Sequence, residues 1–153
     1  MRVACLMLAN LTLALLLGVA PVTPARAELY DVQVTHIAQN AYLDQSSRLV
    51  IITRLCLQLA LGQSAILRYD GRGNANNRLL FDTGGLSNTS CQVAGVYTAN
   101  ASLRRVDQDL YRDLNGGGYV VTQYCYVYVY GEDALVLSDR VLFLDSHEEC
   151  QLP

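Results

Sequence analysis

Cys56, Cys91, Cys125 and Cys150 carry the most definite chemistry in this chain. None stands in the Cys-x-x-Cys spacing that zinc sites and redox-active pairs favour, so neither metal ligation nor thiol exchange is expected of them. An even number of cysteines in an exported chain favours structural disulfides.

The two histidines offer less. His36 alternates with apolar neighbours in "LYDVQVTHI", as a structural side chain in a strand would. His147 stands in "DSHEEC" among Asp145, Glu148 and Glu149. Successive residues of one short loop cannot all converge on an ion, so a solvated acidic loop is expected there. The Asn-rich "DGRGNANNR" (70–78) lacks the order of a calcium loop and its bidentate Glu. No nucleophile motif, phosphate-cradling loop or His-Glu-x-x-His is present. The reading is a non-enzyme with no metal and no cofactor.

The remaining candidate is aromatic. In "YCYVYVYG", Tyr124, Tyr126, Tyr128 and Tyr130 occupy every second position. Such a row is either the packed face of a strand or a platform for a partner. Arg68, Arg72 and Arg78, around the 70–78 turn, are the other candidate binding residues, because Tyr and Arg anchor interfaces most often.

These residues must be positioned by something, and the chain repeats itself to do it. "IITRLCLQLALGQSAILRYD" (51–70) lies over "VVTQYCYVYVYGEDALVLSD" (120–139) at a constant offset of 69. Thr53 meets Thr122, Cys56 meets Cys125, Gly62 meets Gly131 and Asp70 meets Asp139. The match extends back to Tyr42 over Tyr111 and Asp44 over Asp113. It resumes, after a length change, with "RLLF" (78–81) over "RVLF" (140–143), each followed by a cysteine. A duplicated unit follows. If each copy carries its own bridge, the pairs are Cys56–Cys91 and Cys125–Cys150, each stabilising by about 3–4 kcal/mol in the chain-entropy model.

Branched residues, period-two alternation and Gly-rich turns make the units β. Segment 102–114 has helix-like spacing of Leu103, Val106, Leu110 and Leu114, but its counterpart "VTHIAQNAYLD" reads as a hairpin, so both are taken as hairpins. Gly62-Gln63 and Gly131-Glu132 are read as tight turns between a long strand and its returning partner. The expected fold is all-β: two tandem antiparallel barrels or rolls, each with one disulfide, over residues 28–97 and 98–153.

The repeat also orients the tyrosines. They fall on Leu55, Leu57, Leu59 and Leu61, and a row of four leucines is expected to be core, so the stripe is read as packing.

Residues 1–27 read as a secretory signal peptide: Arg2, an apolar stretch, and Ala25-Arg26-Ala27 as the cleavage pattern. Cys5 lies too early for a lipoprotein cysteine, so no membrane anchor is expected after cleavage. From Glu28 onward the chain has nine Arg, no Lys and fourteen acidic residues, a formal charge of 9 − 14 = −5. An acidic surface repels phosphate backbones, which argues against nucleic acid. The Arg-only basic set matches a high-GC bacterium, placing the protein in the periplasm or outside the cell. The functional expectation is an exported, non-catalytic binding or structural module for a protein or envelope glycan. The alternatives are an inhibitor of a secreted hydrolase acting through loop 70–78, and an enzyme with an unrecognised site.

Overall fold

A computed structural model describes residues 28–84 and 89–153, and the expected signal peptide lies outside them. The described chain is all strand and turn. Unit one holds β1 (Glu28–Ala38), β2 (Ala41–Asp44), β3 (Val50–Arg54), β4 (Gln63–Tyr69), β5 (Arg78–Phe81) and β6 (Ser90–Tyr97). Unit two holds β7 (Ala101–Asp107), β8 (Leu110–Asp113), β9 (Tyr119–Val121), β10 (Tyr130–Val136), β11 (Arg140–Phe143) and β12 (Glu149–Gln151). Residues 102–114 form the β7–β8 hairpin, as the repeat implies.

Unit one is a closed barrel in the order β1-β2-β3-β6-β5-β4, with β4 returning to β1 along Val34↔Gln63 to Glu28↔Tyr69. Unit two follows the same cyclic order as a curled sheet, β12-β11-β10-β7-β8-β9. Among the described residues, backbone pairing between its two edges is confined to the bridge Gln123↔Gln151. Every pairing is antiparallel.

Alternation along the strands puts one face of each inside. Val34, Tyr42, Ile51, Ala65, Leu67, Leu79, Phe81 and Val93 fill unit one. Leu103, Tyr111, Ala134, Val141 and Phe143 fill unit two. The bridges are Cys56–Cys91 and Cys125–Cys150, each with Cα atoms 5.4 Å apart and each inside its own core. A third cluster joins the units: Ile37, Ala38, Ala41, Leu43 and Val50 from unit one pack with Leu135, Leu142 and Leu144 from unit two.

The backbone repeats as closely as the sequence. Positive φ occurs at Asn40 and Asp109, Arg48 and Gly117, Leu55 and Tyr124, and Gly62 and Gly131, each pair separated by the same 69 residues. Non-glycine residues rarely adopt this region, so its recurrence at equivalent positions marks a shared local design.

One expectation fails. β3 stops at Arg54 and β9 at Val121, so the stretch through the leucine or tyrosine row is not a ladder strand. β4 pairs with β1 and β5 rather than with β3, and Gly131 lies inside β10, which pairs with β7 and β11, so neither Gly62 nor Gly131 is a hairpin turn. The left-handed residue at Leu55 or Tyr124 diverts the chain out of the sheet and across the barrel end.

Candidate functional site: two straps with exposed apolar rows

Residues 55–61 and 124–130 are extended straps that carry the chain from β3 to β4 and from β9 into β10. Each passes over the barrel end at the turn between its unit's first two strands. In unit one, His36 N donates to Ala60 O at 2.8 Å and Cys56 N donates to Asn40 Oδ1 at 2.9 Å. In unit two, Arg105 N donates to Val129 O at 3.0 Å and Cys125 N donates to Asp109 Oδ1 at 2.6 Å. These are the same bonds, 69 residues on.

A buried tyrosine holds the middle of each strap. The Tyr42 hydroxyl donates to Gln58 O at 2.5 Å and lies 3.0 Å from the Cys56 sulfur. The Tyr111 hydroxyl donates to Val127 O at 2.8 Å and lies 2.9 Å from the Cys125 sulfur. Burial pushes both phenols above their ordinary pKa, so they remain donors. The sequence pairs Tyr42 with Tyr111 but gives them no role; the signal is that Tyr is retained where apolar neighbours are exchanged.

With the cysteine face tied down, the opposite face turns outward. Cys56 and Ala60 are buried in unit one, and Cys125 and Val129 in unit two. Leu55, Leu57, Leu59 and Leu61 are 77–95% exposed, and Tyr124, Tyr126, Tyr128 and Tyr130 are 67–87% exposed. The packing expectation for the stripe is therefore overturned. The buried face is apolar in unit two but holds Gln58 in unit one, so hydrophobicity alone does not fix the strap's phase and in unit one points the wrong way. The disulfide fixes it, because a bridge to a core strand pins its own face inward and period two puts the larger side chains in water.

The two rows differ in surroundings. Arg105 places its guanidinium 4.2 Å from the Tyr128 ring centre, a cation–π brace. A groove beside Tyr124, Tyr126 and Tyr128 is completed by Ser146, Glu148 and Glu149. His147 is exposed in this loop at positive φ, and no cluster of three ligating groups occurs among the described residues. His36 instead sets its ring edge-on to Tyr42, 5.3 Å between centres.

The three arginines do not join this surface. Arg72 stacks over Tyr97 at 5.4 Å, and Arg78 donates to Ala75 O and Asn77 O within its own turn. Arg68 is exposed on β4. Loop 70–78 is organised by fully buried Asn77, which accepts from Asp70 N at 2.8 Å and donates to Gly71 O at 2.6 Å. No helix among the described residues is long and apolar enough to cross a membrane. No family model, no curated protein and no solved structure matches the chain.

Proposed function

We propose that this is an exported, non-catalytic binding module that engages a protein partner through its two straps. The observation that carries the reading is the pair of exposed four-residue apolar rows, held rigid by disulfide, buried tyrosine and backbone bonds. Large apolar rows are rarely left in water without a use, and a rigid presentation lowers the entropy lost on binding. Leucines at one row and tyrosines at the other share apolar area but not aromatic stacking, which favours a protein over a sugar as the common ligand. The two structural disulfides suit an oxidising compartment, in keeping with the periplasm or the cell exterior.

A photo-reactive side chain placed at Leu57 or Tyr126 tests this in the exporting cell. Discrete protein adducts are expected, and they should vanish when the other three residues of the same row are changed to Ser. Adducts to polysaccharide at Tyr126 alone would transfer the site to a glycan, for which the Tyr-Ser-Glu groove of unit two has suitable chemistry. Absence of adducts at both rows would sink the proposal.

A further inference from the structure

The two units pack through different faces. Unit one contributes the outer face of β1-β2-β3, with Ile37, Ala41, Leu43, Val50 and Ile52, and unit two contributes the outer face of β10-β11, with Leu135, Leu137, Leu142 and Leu144. In a repeated molecule such a contact is heterologous, and it leaves one copy of each face unused at the far ends.

Both unused faces keep the apolar character of their counterparts. On unit two, Val106, Leu110, Tyr119 and Val121 stand where unit one has Ile37, Ala41, Val50 and Ile52; Val106, Tyr119 and Val121 are 51–62% exposed. On unit one, Ile66 and Leu80 stand where unit two has Leu135 and Leu142, and both couples are cross-strand partners in identical register. Ile66 is 44% exposed.

At four positions where the internal contact is apolar, each outer face carries one acidic and one basic residue. Asp107 and Arg112 replace Ala38 and Leu43 on one, while Arg68 and Asp82 replace Leu137 and Leu144 on the other. The residue types of one polar contact recur as well, although in the single chain Arg78 bonds within its own turn. Arg140 Nη1 donates to Gln39 O across the internal interface at 3.1 Å, and the equivalent residues at the free ends are Arg78 and Gln108.

We propose that the β7-β8-β9 face of one chain docks on the β4-β5 face of a second copy, extending the internal contact into a head-to-tail assembly. Charged residues at its rim make this contact weaker than the internal one and salt-dependent. The straps take no part in it.

Sedimentation equilibrium of the exported, purified protein over a wide concentration range tests the assembly. The average mass should rise past two chains without a plateau, since this contact does not close on itself. Val121→Asp and Ile66→Asp should each remain monomeric, yet an equimolar mixture of the two should form a one-to-one dimer through the single intact pair of faces. Tyr126→Ser should associate like the parent. Should either aspartate variant fail to form its disulfides, Tyr119→Ser and Arg68→Glu on the same faces run the same mixing test. A parent that stays monomeric at the highest concentration, or a mixture that stays monomeric while the parent associates, overturns the proposal.

Discussion

The same chain pattern closes one barrel and leaves its twin ajar. In unit one, β3 and β6 zip together from Val50↔Tyr97 to Arg54↔Gln92, with an irregularity at Ile52/Thr53. In unit two, the equivalent strands β9 and β12 are three residues each and share the single bridge Gln123↔Gln151, where Gln123 N donates to Gln151 O at 2.9 Å. Both seams carry a disulfide just beyond the ladder, Cys56–Cys91 or Cys125–Cys150. The difference teaches that a disulfide can stand in for a ladder: in unit one it reinforces a closed seam, and in unit two it is the principal tie across it.

Breaking the bridges one at a time has the largest expected effect. Loop entropy alone favours the Cys56–Cys91 bond, whose cysteines are 35 residues apart rather than 25. The chain-entropy difference between those loops is only about 0.3 kcal/mol. The seam argument runs the other way and is larger, because unit two has almost no other bonds there. Cys125→Ala with Cys150→Ala should cost about 3–5 kcal/mol and strip amide-exchange protection from β9 and β12. Cys56→Ala with Cys91→Ala should cost less and leave β3 and β6 protected. Equal loss of protection in the two units would break the comparison.

Next come the strap anchors. Tyr42→Phe and Tyr111→Phe each remove a hydroxyl that satisfies a strap carbonyl, Gln58 O or Val127 O. Losing a bond of this kind costs about 1–2 kcal/mol. The unit-two strap retains its Arg105–Tyr128 brace at mid-strap, where unit one has a 3.3 Å side-chain bond from Gln58 to Gln63, Gly62 N bound to Thr35 Oγ1 at the strap's end, and His36 packed on Tyr42. Exchange at the strap amides should therefore rise more in Tyr42→Phe than in Tyr111→Phe, measurable by hydrogen exchange with mass spectrometry.

A third pair sharpens the comparison through acid. Burial works to raise the Asp44 pKa, but bonds from Ser47, Gln33 and Ser46 outweigh it and hold the carboxylate below its ordinary value. Asp113 is lowered by the backbone amides of Asn115, Ser102 and Gly116, at a half-buried position more open to water than that of Asp44. A carboxylate lowered in the folded state contributes stability that is present above the ordinary Asp range, near pH 4. That stability is lost as pH falls further, through the folded value. Asp44→Asn should lower stability by about 1 kcal/mol at neutral pH and flatten part of the acid limb below pH 4. Asp113→Asn should act in the same direction with a smaller change, because water can replace the carboxylate there. Melting curves from pH 2 to 7 decide it.

Much of this architecture was legible in residues 41–70 and 110–139. The repeat implies equivalent disulfides and an equivalent first hairpin in each unit, and both are present, while the recurring left-handed residues are a likeness that only the structure shows. The phase of the strap was not legible from hydrophobicity. Leu55, Leu57, Leu59 and Leu61 outrank Gln58 and Ala60 as core candidates, and only the bridge at Cys56 reverses the order. Nor was the closure of β4 on β1, since a Gly after an apolar run looks the same at a hairpin and at the end of a crossing strap. The face between the units had a sequence signal that comparing the copies exposes: Leu43 against Arg112 and Leu144 against Asp82 mark which copy of each surface is covered.

The smallest effect sits at one position of the turn after β2 and of its counterpart after β8, where the copies carry Arg48 and Gly117. Arg48 and Gly117 both have positive φ, 61° and 71°, after the capped aspartates. Arg48 bears the left-handed conformation at a cost of about 1 kcal/mol that Gly117 avoids. In return its guanidinium reaches Asp145 of unit two at 2.5 Å, in an ion pair with both side chains largely in water. Exposed pairs of this kind contribute only about 0.2–1 kcal/mol and are screened by salt. Arg48→Gly exchanges one term for the other and should leave stability within about 0.5 kcal/mol of the parent. Arg48→Ala loses the pair and keeps the strain, so it should fall about 1 kcal/mol below the glycine variant. If the two variants instead melt together, well below the parent and only at low salt, the ion pair outweighs the backbone, and the turn of unit one is kept for its contact with unit two.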